Sequence, residues 1–249
     1  MSDRPAAAAG GESPAGPSGL EVLYEDNHLI AVNKKWGEIV QGDQTGDPPL
    51  AGVVADYLRE RYHKAGRVFV GVIHRLDRPT SGVVLFARTD KALARMNQAF
   101  RERGVRKIYW AAVSEAPAKP EGRLVHYLVR DAEKNKTFAY DHPRSGSLKA
   151  SLTYRLIASS DRYHLLEIEL ETGRHHQIRT QLQVIGCPIR GDLKYGAHRS
   201  NPGGGIHLHA RSLSLTHPVR GERITIVALP PRDPVWDALV SALPGRPSD

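Results

Sequence analysis

Apolar and polar positions along the chain change their period from segment to segment, and the changes mark its elements. Two short apolar segments, 20–24 and 29–33, flank the polar Glu25-Asp26-Asn27 and predict a strand pair. A Gly-, Asp- and Pro-rich loop, 42–49, follows. Val54, Leu58 and Tyr62 then recur every four residues, joined by Val53 and Tyr57, and Gly66 ends this amphipathic helix. Segments 68–73 and 83–87 read as strands, separated by a polar stretch, 74–82, that continues neither. A second helix fits 91–103, capped by Thr89 or Asp90, with Leu93, Met96 and Phe100 on one face and Gly104 as its stop. Strands are expected at 107–113, 123–129, 150–158 and 163–170, the last alternating so that His164, Leu166, Ile168 and Leu170 share a face. Thr172-Gly173 turns the chain into a helix that Arg174 begins, with Ile178, Leu182 and Ile185 as its stripe and Gly186 as its end. A flexible loop at 201–205, strands at 211–215 and 223–229, and a short helix with Asp233 as N-cap and Pro234 at its first position complete the chain. There is no internal repeat. Many strands with three or four helices predict an α+β fold: a mixed, largely antiparallel sheet flanked by a few helices.

Composition refines this. Of 249 residues, 40% are apolar and 25% charged, which excludes a wholly disordered chain. The first 19 residues hold 5 Ala, 4 Gly, 3 Pro and 3 Ser and are expected to be a disordered tail. One domain is then expected over 20–232, with a short C-terminal helix and tail over 233–249. No apolar run approaches the roughly 18 residues of a bilayer span, and the alanines at 6–9 are too few for a signal peptide. The single cysteine, Cys187, fits a reducing compartment, so the cytoplasm is the expected location. The formal charge is +8 overall, and removing the tail, with Arg4, Asp3 and Glu12, leaves the body at +9. Such a body suits an anionic partner, nucleic acid first and then anionic lipid or phosphorylated metabolites.

Three clusters could carry chemistry. Asp77 lies in a tight loop between Arg75 and Arg78, with Pro79 and Ser81-Gly82 restricting the backbone. A carboxylate so placed can be a nucleophile, a base, a metal ligand or one half of a structural ion pair. The second cluster is 171–179, where a helix start offers free N–H groups to an anion. His175 and His176 are neighbours and diverge by about 100° on a helix, a poor metal pair. His207 and His209 share a strand face but lack a third ligand, so no metal is expected. In the third cluster, 191–196, Lys194 could hold a phosphate and Tyr195 could stack a base. No glycine-rich dinucleotide or Walker-type loop and no Gly-x-Ser-x-Gly elbow is present, so no nucleotide cofactor is expected.

His74-Arg75-Leu76-Asp77-Arg78-Pro79-Thr80-Ser81-Gly82 resembles the H-R-L-D-x-x-T-S-G signature of RluA-type pseudouridine synthases. Four further segments agree in order: Lys107-Ile108-Tyr109 (K-x-Y), 172–179 (T-G-R-x-H-Q-I-R), 191–196 (G-D-x-K-Y-G), and Leu208-His209-Ala210 through His217-Pro218 (H-A…H-P). The likeness spans 22–229. Two positions depart: Asn33-Lys34-Lys35-Trp36-Gly37 replaces N-K-P-x-G, so this loop is expected to differ in shape, and Gln181 stands where many members carry His.

The resemblance implies the pseudouridine synthase fold and an RNA-uridine isomerase without metal, redox or nucleotide cofactor. It makes Asp77 the catalytic aspartate. It implies that Arg174 pairs with Asp77, that Tyr109 packs on the base and assists proton transfer, and that Arg75 fills the gap left by a flipped uridine. Arg78, Lys107, Arg179 and Lys194 are phosphate-contact candidates. Ribosomal or transfer RNA is the expected partner. Because only a low-complexity tail precedes Leu20, no S4-type RNA-binding domain is expected, and a monomer is the default. The competing classes are a non-catalytic RNA-binding or ribosome-assembly protein on this fold, and a metal-dependent phosphodiesterase built on the histidines.

Overall fold

A computed structural model describes residues 19–42 and 46–244. The tail expected at 1–19 therefore lies almost wholly outside the described residues, as do the middle of the 42–49 loop and the last five positions. The chain runs β1 (Val22–Glu25), β2 (Leu29–Lys34), α1 (Leu50–Arg61), β3 (Gly71–Val72), β4 (Ser81–Ala87) and α2 (Asp90–Arg101). It continues through β5 (Arg106–Val113), β6 (Glu121–Asp131), β7 (Lys136–Tyr140), β8 (Leu148–Ser159), β9 (His164–Leu170) and α3 (Gln177–Val184). β10 (Leu208–Thr216), β11 (Arg223–Val227) and α4 (Pro234–Ser241) complete it. The strands form one sheet in the order β1-β2-β4-β10-β5-β9-β8-β6-β7, with β11 on β10 and β3 on β4. Every pairing is antiparallel except β4 with β10, so the sheet is mixed and largely antiparallel, as expected. Among the described residues no helix is long and apolar enough to cross a membrane.

Helices cover both faces, which explains the unbroken apolar runs of the central strands. Alternate residues of β2 and β4 face opposite ways: Leu29, Ala31, Val83 and Leu85 pack with α2, while Ile30, Val32, Val84 and Phe86 pack with α1. In the other half, Ala111, Leu166 and Ile168 face α3, whereas Trp110, Ala112 and Leu165 face Trp236 and Leu239 of α4. The alternation read along β9 marks one buried face, and Leu165 buries the other.

Two local expectations are corrected, and one strand appears that the sequence pattern did not mark. Of 68–73 only Gly71–Val72 pairs as a strand, on the edge of β4 opposite β2, an edge that it shares with β10 at Ser81 and Gly82. β7 has no counterpart in the apolar pattern, since Lys136–Tyr140 is mostly polar or half-exposed, and cross-strand bonding to β6 makes it a strand. The third helix starts at Gln177, not Arg174: His176, with φ 51°, takes the left-handed conformation at its N-cap. Capping was legible elsewhere. The Thr89 hydroxyl accepts the Ala92 N–H, and Asp233 accepts the N–H groups of Val235 and Trp236.

The register across β10 assembles the site. Ala210 is the Cα partner of both Gly82 and Tyr109, so the loop carrying Asp77 ends beside the strand carrying Tyr109. Tyr109 in turn faces Ile168 of β9, which leads into α3. Gly82 makes this approach possible. Its φ is +115°, and a Cβ there would lie 2.4 Å from the Ala210 carbonyl oxygen and 2.5 Å from its nitrogen. Gly82→Ala is expected to cost about 2–3 kcal/mol through strain and backbone overlap. Urea denaturation checks this, and a loss below about 1 kcal/mol would contradict the tight β4–β10 contact.

Candidate active site

The loop from His74 to Ser81 is fixed at its centre and at both ends. Lys34, at the end of β2, is only 1% exposed. Its Nζ donates to the carbonyls of Lys35 (3.0 Å), Asp77 (3.3 Å), Arg78 (3.1 Å) and Thr80 (2.7 Å), gathering the loop backbone around one amine. Burial lowers its pKa to about 8. At the N-terminal end His74 Nε2 accepts the Leu85 N–H at 3.0 Å, and its ring stacks on Phe100 of α2. At the C-terminal end the Ser81 hydroxyl donates to His209 Nδ1 at 2.9 Å, while His209 Nε2–H donates to the Ala228 carbonyl at 3.2 Å.

Burial pushes both His74 and His209 down to about 4, so both rings are neutral at pH 7. Folded values below the ordinary value near 6.5 mean that the unfolded chain takes up protons first. The stability from these rings is complete above pH 6.5 and is lost as pH falls towards 4. His209 alone should contribute about 3 kcal/mol of this decline. Denaturation at pH 7.5, 5.5 and 4.5 is expected to show a shallower acid decline for His209→Asn than for wild type; parallel curves would refute it.

Asp77 is half-buried, and its two oxygens are treated differently. Oδ2 accepts Arg179 Nη1 at 3.2 Å and lies 3.6 Å from His176 Nε2. No hydrogen bond from the described residues reaches Oδ1. Arg179, 5% exposed, also grips Asp192 with a fork, Nε to Oδ2 at 2.7 Å and Nη2 to Oδ1 at 2.9 Å. Its guanidinium lies over the Tyr195 ring, 4.9 Å from the centroid. Arg179 therefore holds Asp77, which corrects two expectations at once. The partner of Asp77 is not Arg174, whose Nε donates to the Lys149 carbonyl at 3.3 Å. Nor is Arg179 a free phosphate contact, since two carboxylates occupy it. Tyr195 is corrected too: at 0% exposure it offers no face to a base.

The loop opens into a cleft of about 740 Å³ between Phe100 of α2 and Ile178 of α3. Of the residues singled out in the sequence, Asp77, Tyr109, Arg174, Arg75, Arg78, Lys107, Arg179 and Lys194 line it, and Tyr195 does not. Burial and the charge of Asp77 raise the Tyr109 phenol well above its ordinary value, so it is a neutral group beside the carboxylate. Burial, with Arg103, lowers Lys107. Arg78 pairs with Asp47 at 2.6 Å. The Lys194 amine donates to the carbonyl of Asn135 at 3.0 Å, tying the β6–β7 turn to the rim of the cleft.

Sequence reading left Lys34, His176 and Asp192 without roles, although each stands inside a quoted motif. Nothing local marks them, because their partners are distant in sequence. Gln177 orders the turn before α3: its Oε1 accepts the Arg174 N–H and the Thr172 hydroxyl, and its Nε2 donates to the Ser151 carbonyl. His175 and His176 stack at 3.7 Å, and His207 bonds Asn201 and Asp233. Among the described residues no three His, Cys, Asp or Glu side chains cluster to hold a metal ion.

Comparison with known proteins bears on this geometry. A family model described as RNA pseudouridylate synthase matches residues 28–184. An RNA pseudouridine synthase of Synechocystis is 32% identical over 216 residues, 84% of this chain, which spans 65% of that protein's length. A tRNA pseudouridine synthase C of Salmonella typhi is 35% identical over 232 residues, covering 84% of this chain and 85% of its own. The solved human RNA pseudouridylate synthase domain containing 4 superposes with a TM-score of 0.71 at 26% identity, over 85% of this chain and 89% of that one. With matching motifs, sheet and relatives, the chain belongs to the RNA pseudouridylate synthase family.

Proposed function

We propose that this protein isomerises specific uridines of structured RNA, ribosomal or transfer RNA, to pseudouridine, with Asp77 as its catalytic carboxylate. One observation carries the reading. Among the described residues the cleft holds a single carboxylate, Asp77, facing seven cations: Arg75, Arg78, Lys107, Arg130, Arg174, Arg179 and Lys194. Glycoside hydrolases ordinarily need a second carboxylate to activate water. An isomerase that returns the same base to the same sugar needs no water, and one carboxylate suffices. The cations other than Arg179 suit the phosphates of a polyanion. A relative named for transfer RNA supports that partner, and a single buried thiol, Cys187, suits the reducing cytoplasm in which we place the reaction.

The reaction breaks the N1–C1′ bond, turns the base and joins C1′ to C5. The C5 proton leaves and N1 gains one, so the formula is unchanged. The glycosidic carbon is inaccessible in stacked RNA, so the uridine must be extruded. In this reading Arg75, exposed on the cleft wall, fills the gap left by the uridine. Neutral Tyr109 packs against the extruded base and can relay a proton. Arg78, Lys107 and Lys194 steer the flanking phosphates, and Arg179 fixes the carboxylate that does the chemistry.

Loss of the C5 proton gives the test. Purified protein incubated with bulk ribosomal and transfer RNA tritiated at uridine C5 is expected to release tritium to water. Mapping pseudouridine in total RNA with and without the gene identifies the site. RNA binding without tritium release from any RNA of the parent cell would replace this reading with a non-catalytic RNA-binding role.

A further inference from the structure

We infer that His176 is a positioning residue for Asp77, acting as a neutral donor whose proton is placed on Nε2 by Tyr195. The inference rests on the pseudouridine synthase reading and concerns how the carboxylate is aimed.

A hydrogen-bond chain with one consistent direction sets the tautomer of His176. The Thr137 N–H donates to the Tyr195 hydroxyl oxygen at 2.8 Å. The hydroxyl therefore has its own proton to give, and the acceptor in reach is His176 Nδ1, at 2.9 Å. A ring that accepts at Nδ1 and is neutral carries its proton on Nε2. That nitrogen lies 3.6 Å from Asp77 Oδ2, a separation that closes to a hydrogen bond with a shift of a few tenths of an ångström. Burial, then Arg179, His175, Lys194 and Arg130, hold the His176 pKa down to about 2, which keeps the ring uncharged beside Asp77. The ring is clamped between His175, stacked at 3.7 Å, and the edge of Tyr195, at 5.5 Å. Its backbone is held left-handed at φ 51°, a strained setting for a residue with a side chain.

Arg179 and His176 thus converge on Oδ2 and leave Oδ1 as the reacting oxygen. A second cation at this place would bind the carboxylate more strongly and blunt it. A neutral donor orients it without that penalty.

Two measurements test this. In protein labelled with ¹⁵N-histidine, long-range proton–nitrogen spectra at pH 7 should show His176 as the Nε2–H tautomer; an Nδ1–H tautomer or an imidazolium overturns the inference. This readout needs no activity, so it stands apart from the fate of the synthase reading, which wild-type tritium release decides. In kinetics, His176→Phe keeps the stacked ring and removes the donor. It is expected to lower kcat on the order of tenfold to a hundredfold with KM within about twofold. Tyr195→Phe, which frees the tautomer, should lower kcat less, and His176→Gln should recover part of the loss. A folded His176→Phe with wild-type kcat, or one changed only in KM, overturns it. Should His176→Phe not fold, Tyr195→Phe with wild-type kcat and an unchanged tautomer overturns it equally.

Discussion

Asp77→Asn is expected to stop pseudouridine formation while leaving the protein folded and bound to RNA. The amide matches the carboxylate in shape but supplies neither a nucleophile nor a base. Its fold should survive because Arg179 keeps its fork on Asp192 and Lys34 keeps its bonds to the loop carbonyls. Neither set of bonds uses the Asp77 side chain. Tritium release should fall on the order of a thousandfold or more, the scale on which removal of a reacting group registers. The midpoint of thermal unfolding should stay within a few degrees. Release that persists undiminished would remove Asp77 from the chemistry. Unchanged cellular function with RNA binding intact would favour the non-catalytic role.

Arg179→Met should produce the largest loss of stability, and with it a loss of activity. Asp192 is 1% exposed and is held by two bonds from one guanidinium. Without it, a buried carboxylate loses its counter-ion while Asp77 loses its anchor. Removing one member of a buried pair costs about 3–5 kcal/mol, because the remaining charge is uncompensated. Arg174→Ala provides the contrast: that side chain is exposed and makes one bond to a backbone carbonyl. It should cost less than about 1 kcal/mol and act through KM. Urea denaturation of the two variants decides between them, and the reverse ordering would return the role of Asp77's partner to Arg174.

The chemistry of the site was legible before its wiring. The polar, Gly- and Pro-punctuated stretch around Asp77 stood out because its residues are neighbours in the chain and their types restrict the backbone. So did the lysine–tyrosine strand and the glycine before Arg174. Which arginine meets Asp77 was not legible. Arg174 and Arg179 are five positions apart in one motif, on either side of the left-handed turn at His176, and it is Arg179 that reaches Asp77. That turn depends on Gln177 bonding Ser151 and on Tyr195 bonding His176, contacts between residues 26 and 19 positions apart.

The sequence by itself determined the class of fold, most elements, two helix caps, the basic charge of the body, the family likeness and eight of the residues that line the cleft. Local periodicity, capping chemistry and motif order are properties of neighbouring residues, so they can be read one segment at a time. Only the tertiary structure decided that Lys34 gathers the loop backbone, that Tyr195 is a buried support and not a stacking face, and that Arg179 joins Asp77 to Asp192. Burial and pairing are properties of groups that meet across β10 from distant parts of the chain. A side chain's role there depends on what it meets when the sheet closes, and residue type alone does not specify that.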